Sequence, residues 1–94
     1  MKLHVTSSAV ECFQKEWGFA RGDVVRIFVR YCGLSEMGPY WLGIQHDRPM
    51  AVGIMAIEDH ITFYMEEQDV WFLEGRNLTI DCEGEDIKFF MPPA

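Results

Sequence analysis

Residues 24 to 44 run Val24-Val25-Arg26-Ile27-Phe28-Val29-Arg30-Tyr31, then Cys32-Gly33-Leu34-Ser35-Glu36-Met37-Gly38-Pro39, then Tyr40-Trp41-Leu42-Gly43-Ile44. The first segment has a period of two, with Val25, Ile27, Val29 and Tyr31 on one face and Val24, Arg26, Phe28 and Arg30 on the other. That period predicts a strand with one buried face and one mixed face. The middle segment is rich in glycine, proline and small polar residues, and so predicts a loop. The third segment resumes as a strand. A site in this chain is expected at that loop.

Upstream, residues 2 to 5 predict a short strand, and Thr6-Ser7-Ser8 offers hydroxyls to cap a helix. Ser8 and Glu11 have the spacing of a capping box. Val10, Phe13 and Trp17 recur on one helical face, and Gly18 is placed to end the helix in a left-handed conformation. Downstream, His46-Asp47-Arg48-Pro49 predicts a turn. Ala51 to Ile57 is a weaker apolar strand interrupted by Gly53, and Glu58-Asp59-His60 connects tightly to Ile61-Thr62-Phe63-Tyr64-Met65. These strands are expected to form an antiparallel meander. Glu66-Glu67-Gln68-Asp69 places three carboxylates in the first turn of a short second helix, complementing its dipole, and Gly75 stops that helix. Leu78 to Cys82 and Ile87 to Met91 close the chain as strands around the turn Glu83-Gly84-Glu85-Asp86.

With 94 residues, 49% of them apolar and 14% aromatic, the chain is read as one domain over residues 1–94, able to bury a core without staples. The expected class is α+β, mainly β: a compact mixed or antiparallel β-sandwich-like domain with an N-terminal helix and a short second helix. Fifteen acidic against eight basic residues give a formal charge of −7, which repels nucleic acid and anionic membrane surfaces. No run approaches the ~18 apolar residues a membrane helix needs, so a cytoplasmic protein is expected. Cys12, Cys32 and Cys82 are odd in number and widely spaced, which predicts reduced thiols.

The candidate chemistry is sparse. Cys32, held between Gly33, Gly38 and Pro39, reads as a metal or iron–sulfur ligand, as a reactive thiol, or as a small reduced thiol beside a turn. The buried habit of free cysteine favours the last. Cys12 and Cys82 read as core packing. His4, His46 and His60 lack the spacing of a metal site. Ser35 has no partner base, and there is no nucleophile elbow, P-loop or dinucleotide fingerprint, so no catalytic constellation is identified. Arg26 and Arg30 flank Phe28 on one strand face, where they bind either neighbouring acids or an acidic partner.

Glu16-Trp17-Gly18, Val29-Arg30-Tyr31 followed by Gly33, and the acidic-to-aromatic run from Phe63 to Phe72 together resemble the HesB-like family, the A-type iron–sulfur cluster assembly proteins. The likeness is nearest to a small Firmicutes-type branch, and it covers nearly the whole chain. It implies the HesB-like fold and a role in iron–sulfur cluster biogenesis, with assembly machinery as protein partner and a homodimer as one arrangement. Members that carry clusters supply one cysteine in the loop after the Val-Arg strand and a Cys-Gly-Cys pair near the C-terminus. Here Leu34 stands at the first position, Cys32 lies two residues early, and the chain ends Phe90-Met91-Pro92-Pro93-Ala94. The resemblance therefore implies a degenerate or accessory carrier in which Cys32 is the remaining ligand for iron or a cluster. The alternative is a metal-free protein-interaction module that uses Arg26, Arg30, Tyr40 and Trp41 as its contact surface.

Overall fold

The structure is a computed structural model and describes residues 1–33 and 38–92. Leu34 and Ser35, singled out above, lie outside the described residues, as do Pro93 and Ala94. The chain order is β1 (Leu3–Val5), α1 (Ser7–Lys15), β2 (Val24–Tyr31), β3 (Tyr40–His46), β4 (Val52–Glu58), β5 (Ile61–Glu66), a 3-10 turn (Val70–Leu73), β6 (Leu78–Glu83) and β7 (Asp86–Phe90). The strands form two sheets, one ordered β1-β6-β7 and the other β3-β2-β5-β4. This is the mixed, mainly β sandwich expected from the sequence.

The simple meander is corrected. β2 pairs in parallel with β5, Val25 opposite Phe63, and β1 pairs in parallel with β6, Val5 opposite Ile80. The reason is burial. β5 is buried on both faces, from Ile61 and Phe63 to Tyr64, Met65 and Glu66, and so takes a central place between β2 and β4. The β4–β5 hairpin does form as read. Asp59 and His60 take φ of 50° and 63°, the two left-handed residues that a two-residue hairpin turn requires.

The helix starts two residues earlier than the Ser8–Glu11 capping box predicts, at the first of the three hydroxyls Thr6-Ser7-Ser8. Thr6, not Ser8, is the N-cap: its hydroxyl accepts the Ala9 N–H at 3.1 Å and donates to Asp81 Oδ1 at 2.8 Å, tying α1 to β6. Gly18 is left-handed, at φ 73°, but the helix has already ended at Lys15, with Glu16 as a right-handed C-cap whose N–H donates to Cys12 O. Phe13 is fully buried, with its ring centroid 5.3 Å from Phe63 and 5.6 Å from Phe19, so α1 belongs to the same core as the larger sheet. Val25, Ile27, Leu42, Ile61, Phe63, Leu73, Leu78 and Ile80 complete that core.

The acidic run before the second helical piece is also corrected. Helical geometry covers only Val70–Leu73, with no acid in its first turn. Glu66 ends β5 and accepts the N–H groups of Met50 and Ala51 at 2.8 and 2.9 Å, while Asp69 pairs with Arg26. These carboxylates are taken up by backbone amides and a guanidinium, which hold them more specifically than a helix dipole would.

Candidate functional site

β2 and β3 lie antiparallel with Tyr31 opposite Tyr40 and Arg30 opposite Trp41, and the Cys32 N–H donates to Pro39 O at 2.7 Å across the mouth of the hairpin. At this end the strands outrun the core. Tyr31, placed on the buried face by its period, is instead 72% exposed, because no second layer reaches it. The 3-10 turn brings Trp71 to the same place. Tyr40 sits between the two, with ring centroids 5.8 Å from Tyr31 and 5.9 Å from Trp71, both edge-to-face. The ridge is continuous with a half-buried support: Trp71 meets Phe72 at 5.7 Å, and Trp41 packs against Phe72 and Phe89, each at 6.2 Å.

Of the residues singled out from sequence, Tyr40, Trp41 and Arg30 all lie at this end of the hairpin, Tyr40 on the face of Tyr31, and Arg30 and Trp41 on the opposite face. Arg30 is exposed and, among the described residues, makes no ion pair; it lines a groove with Phe28, Lys88 and Phe89. Arg26 does not join them. Its guanidinium lies 2.9 Å from Asp69 and 3.4 Å from Asp47, and 5.8 Å from the Phe28 ring centre. Its place is structural: the hydrogen bond to Asp69 raises its pKa further, against the opposing effect of burial. Sequence reading missed Tyr31 and Trp71. The available signal was their position beside the glycine-rich loop and after the acidic run, where strand and helix periods no longer dictate burial.

Cys32 is exposed at the hairpin mouth, its Sγ 3.8 Å from Arg30 O. Cys12 and Cys82 lie elsewhere, together. They line one pocket of about 300 Å³ between α1 and the β6–β7 turn, with Cys12 Sγ 3.5 Å from Glu85 O and Cys82 Sγ 3.2 Å from Gly84 O. Burial and then the facing Cys82 thiol push the Cys12 thiol up to about 11. Core packing therefore describes Cys12 only in part, since its neighbour is a second thiol.

Among the described residues no three of the His, Cys, Asp and Glu side chains are disposed to hold a metal ion. His46 faces Asp23 Oδ2 at 3.2 Å and its ring edge meets Phe19. A cluster requires several thiolates, usually four, and one chain brings a single thiol to the hairpin mouth, so these residues do not fit a cluster held within one chain. No helix among the described residues is long and apolar enough to cross a membrane.

No family model matches the chain. A pyruvate dehydrogenase inhibitor of Bacillus subtilis is 35% identical over 81 residues, 85% of either chain. An uncharacterized protein of Staphylococcus saprophyticus is 27% identical over 85 residues, covering 86% of this chain and 87% of its own. Among solved structures, IscA with a [2Fe-2S] cluster superposes with a TM-score of 0.60 at 17% identity, over 96% of this chain and 82% of its own. Escherichia coli SufA, involved in biosynthesis of iron–sulfur clusters, gives the same score at 20% identity, over 100% and 89%.

Proposed function

The chain belongs to the same family as the Bacillus subtilis pyruvate dehydrogenase inhibitor and has the HesB-like fold of the IscA and SufA structures, and from that premise we propose that it is a regulatory module. On this reading residues 1–94 form one cytosolic domain that docks on an enzyme of the pyruvate dehydrogenase class and lowers its activity. The observation that carries the reading is the exposed ridge of Tyr31, Tyr40 and Trp71, with Arg30 exposed on the other face of the same hairpin end. Aromatic and arginine side chains dominate binding hot spots, and rings already held edge-to-face lose little freedom on docking. The inhibitory sense comes from the Bacillus relative, which spans most of both chains. Inhibition by docking requires no reacting group of its own, in keeping with a surface built from aromatic rings.

A second reading keeps the carrier role. Exposed Cys32 favours it, since two chains meeting at their hairpin mouths would offer two thiolates, with a small thiol or a protein of the assembly machinery completing the ligand set for iron or a cluster.

The test titrates the purified protein into a pyruvate dehydrogenase assay from the same organism. Wild type is expected to inhibit saturably, Trp71→Ala and Tyr40→Ala to weaken inhibition roughly tenfold or more, and Cys32→Ser to leave it unchanged. Absence of both inhibition and complex formation overturns the regulatory reading. Anaerobic reconstitution with iron and sulfide that yields a stoichiometric chromophore in wild type and none in Cys32→Ser would replace it with the carrier reading.

A further inference from the structure

We infer that Cys12 and Cys82 form a redox-modifiable dithiol, closed to an intramolecular disulfide by exchange with a low-molecular-weight disulfide. The two thiols come from elements far apart in sequence, the middle of α1 and the end of β6. They converge because Thr6 pins the start of α1 to Asp81, one residue before Cys82. Both sulfurs rest on consecutive carbonyls of one turn, Gly84 O and Glu85 O, at the wall of a pocket open to solvent. Cys12 is buried and Cys82 is half-buried, so a reagent entering the pocket meets Cys82 first.

The sequence of bonds follows from that order. Cys82 Sγ, as thiolate, attacks one sulfur of the small disulfide, forming a mixed disulfide and expelling the first thiolate. Cys12 then gives up its proton and attacks Cys82 Sγ, and the second small thiolate leaves and takes up a proton. The two protein thiols lose two electrons, and the small disulfide is reduced to two thiols. Before that step burial and the neighbouring thiol keep Cys12 protonated, with the carboxylates of Glu16 and Glu85 acting in the same direction, and both cysteines are free thiols in the structure. Closure fastens α1 to the β6–β7 turn and cross-links a loop that contains most of the chain, which restricts the unfolded state.

The full-length protein is incubated with oxidised glutathione, the remaining thiols are alkylated, and the products are mapped by mass spectrometry. The expected product is a Cys12–Cys82 linked peptide with Cys32 free or singly glutathionylated, together with a melting temperature raised by roughly 5 °C and restored by reductant. Cys32→Ser should give the same product, and Cys82→Ala none. A Cys82 mixed disulfide that persists while Cys12 becomes alkylatable only on unfolding would overturn the inference, as would a bond formed through Cys32. Neither result bears on the docking surface.

Discussion

Glu66 is a buried carboxylate whose role is to hold backbone. The amides of Met50 and Ala51 donate to its two oxygens and hold its pKa below the ordinary 4.5, while burial opposes them. A folded-state pKa lowered in this way contributes stability that is complete above about pH 4.5 and is lost as pH falls through the folded value. Urea midpoints should therefore separate wild type from Glu66→Gln clearly at pH 7 and draw together as the pH is taken progressively below 4.5, and a gap that stays constant on acidification would refute the linkage. Asp23, Asp47 and Asp81 are lowered for similar reasons, by the amide of Ala20, the amide of Arg48 and the hydroxyl of Thr6 respectively, so the whole molecule should lose stability on the acid side. Arg26 makes a second case. Its removal leaves the carboxylate of Asp69, 11% exposed, without its cation. Arg26→Met should cost about 2 kcal/mol in urea unfolding, and Arg26→Met with Asp69→Leu should recover much of it, because an unpaired buried charge costs more than the pair contributes.

At the scale of elements, β4 is shaped by Gly53, where the register with β5 shifts between Val52 and Ile54. A Cβ built there would lie 2.6 Å from Val70 Cγ1 and 3.2 Å from Glu67 Cα, the second being backbone that cannot swing away. Gly53→Ala should destabilise by about 2 kcal/mol, and Val70→Ala should relieve only part of that in a double-mutant cycle; full additivity would mean that the contact is not the cause. Gly53 was legible in the sequence as an interruption, as were the strand at Val24–Tyr31, the left-handed backbone at Gly18 and the Asp59-His60 turn, because each is decided by local period or local φ. What was not legible is long-range. The parallel partnership of β2 with β5 depends on how much of β5 is buried. The capture of Glu66 and Asp69 depends on Met50, Ala51 and Arg26, and the meeting of Cys12 with Cys82 on the docking of α1 across β6. Of the expected contact residues, Arg30 and Trp41 are opposite one another in the β2–β3 register, with Tyr40 on the other face of the same hairpin, a placement that follows from hairpin pairing. Tyr31 and Trp71 were missed because exposure at a strand end depends on where the second sheet stops.

At the scale of the molecule, a charge of −7 is carried on a body about 33 × 31 × 25 Å. The Debye length at physiological salt is about 8 Å, so this field acts only near the surface and governs encounter more than the final contact. The aromatic ridge, by contrast, is uncharged and exposed, with Trp71 at 57%. On the regulatory reading proposed above, the two features should divide the kinetics of docking on the enzyme partner. An acidic body approaches productively only an electropositive face, so the association rate should fall about tenfold between low salt and about 0.5 M. The dissociation rate should change little over the same range. Trp71→Ala should do the reverse, raising the dissociation rate roughly tenfold or more while leaving the salt slope of association intact. Truncating an exposed ring removes little core packing, so the same variant should unfold within about 0.5 kcal/mol of wild type. Surface-immobilised partner and stopped-flow measurements at several ionic strengths read both rates. An association rate that does not respond to salt would mean that the acidic field plays no part in recognition, and a Trp71 variant that dissociates like wild type would move the contact away from the hairpin end.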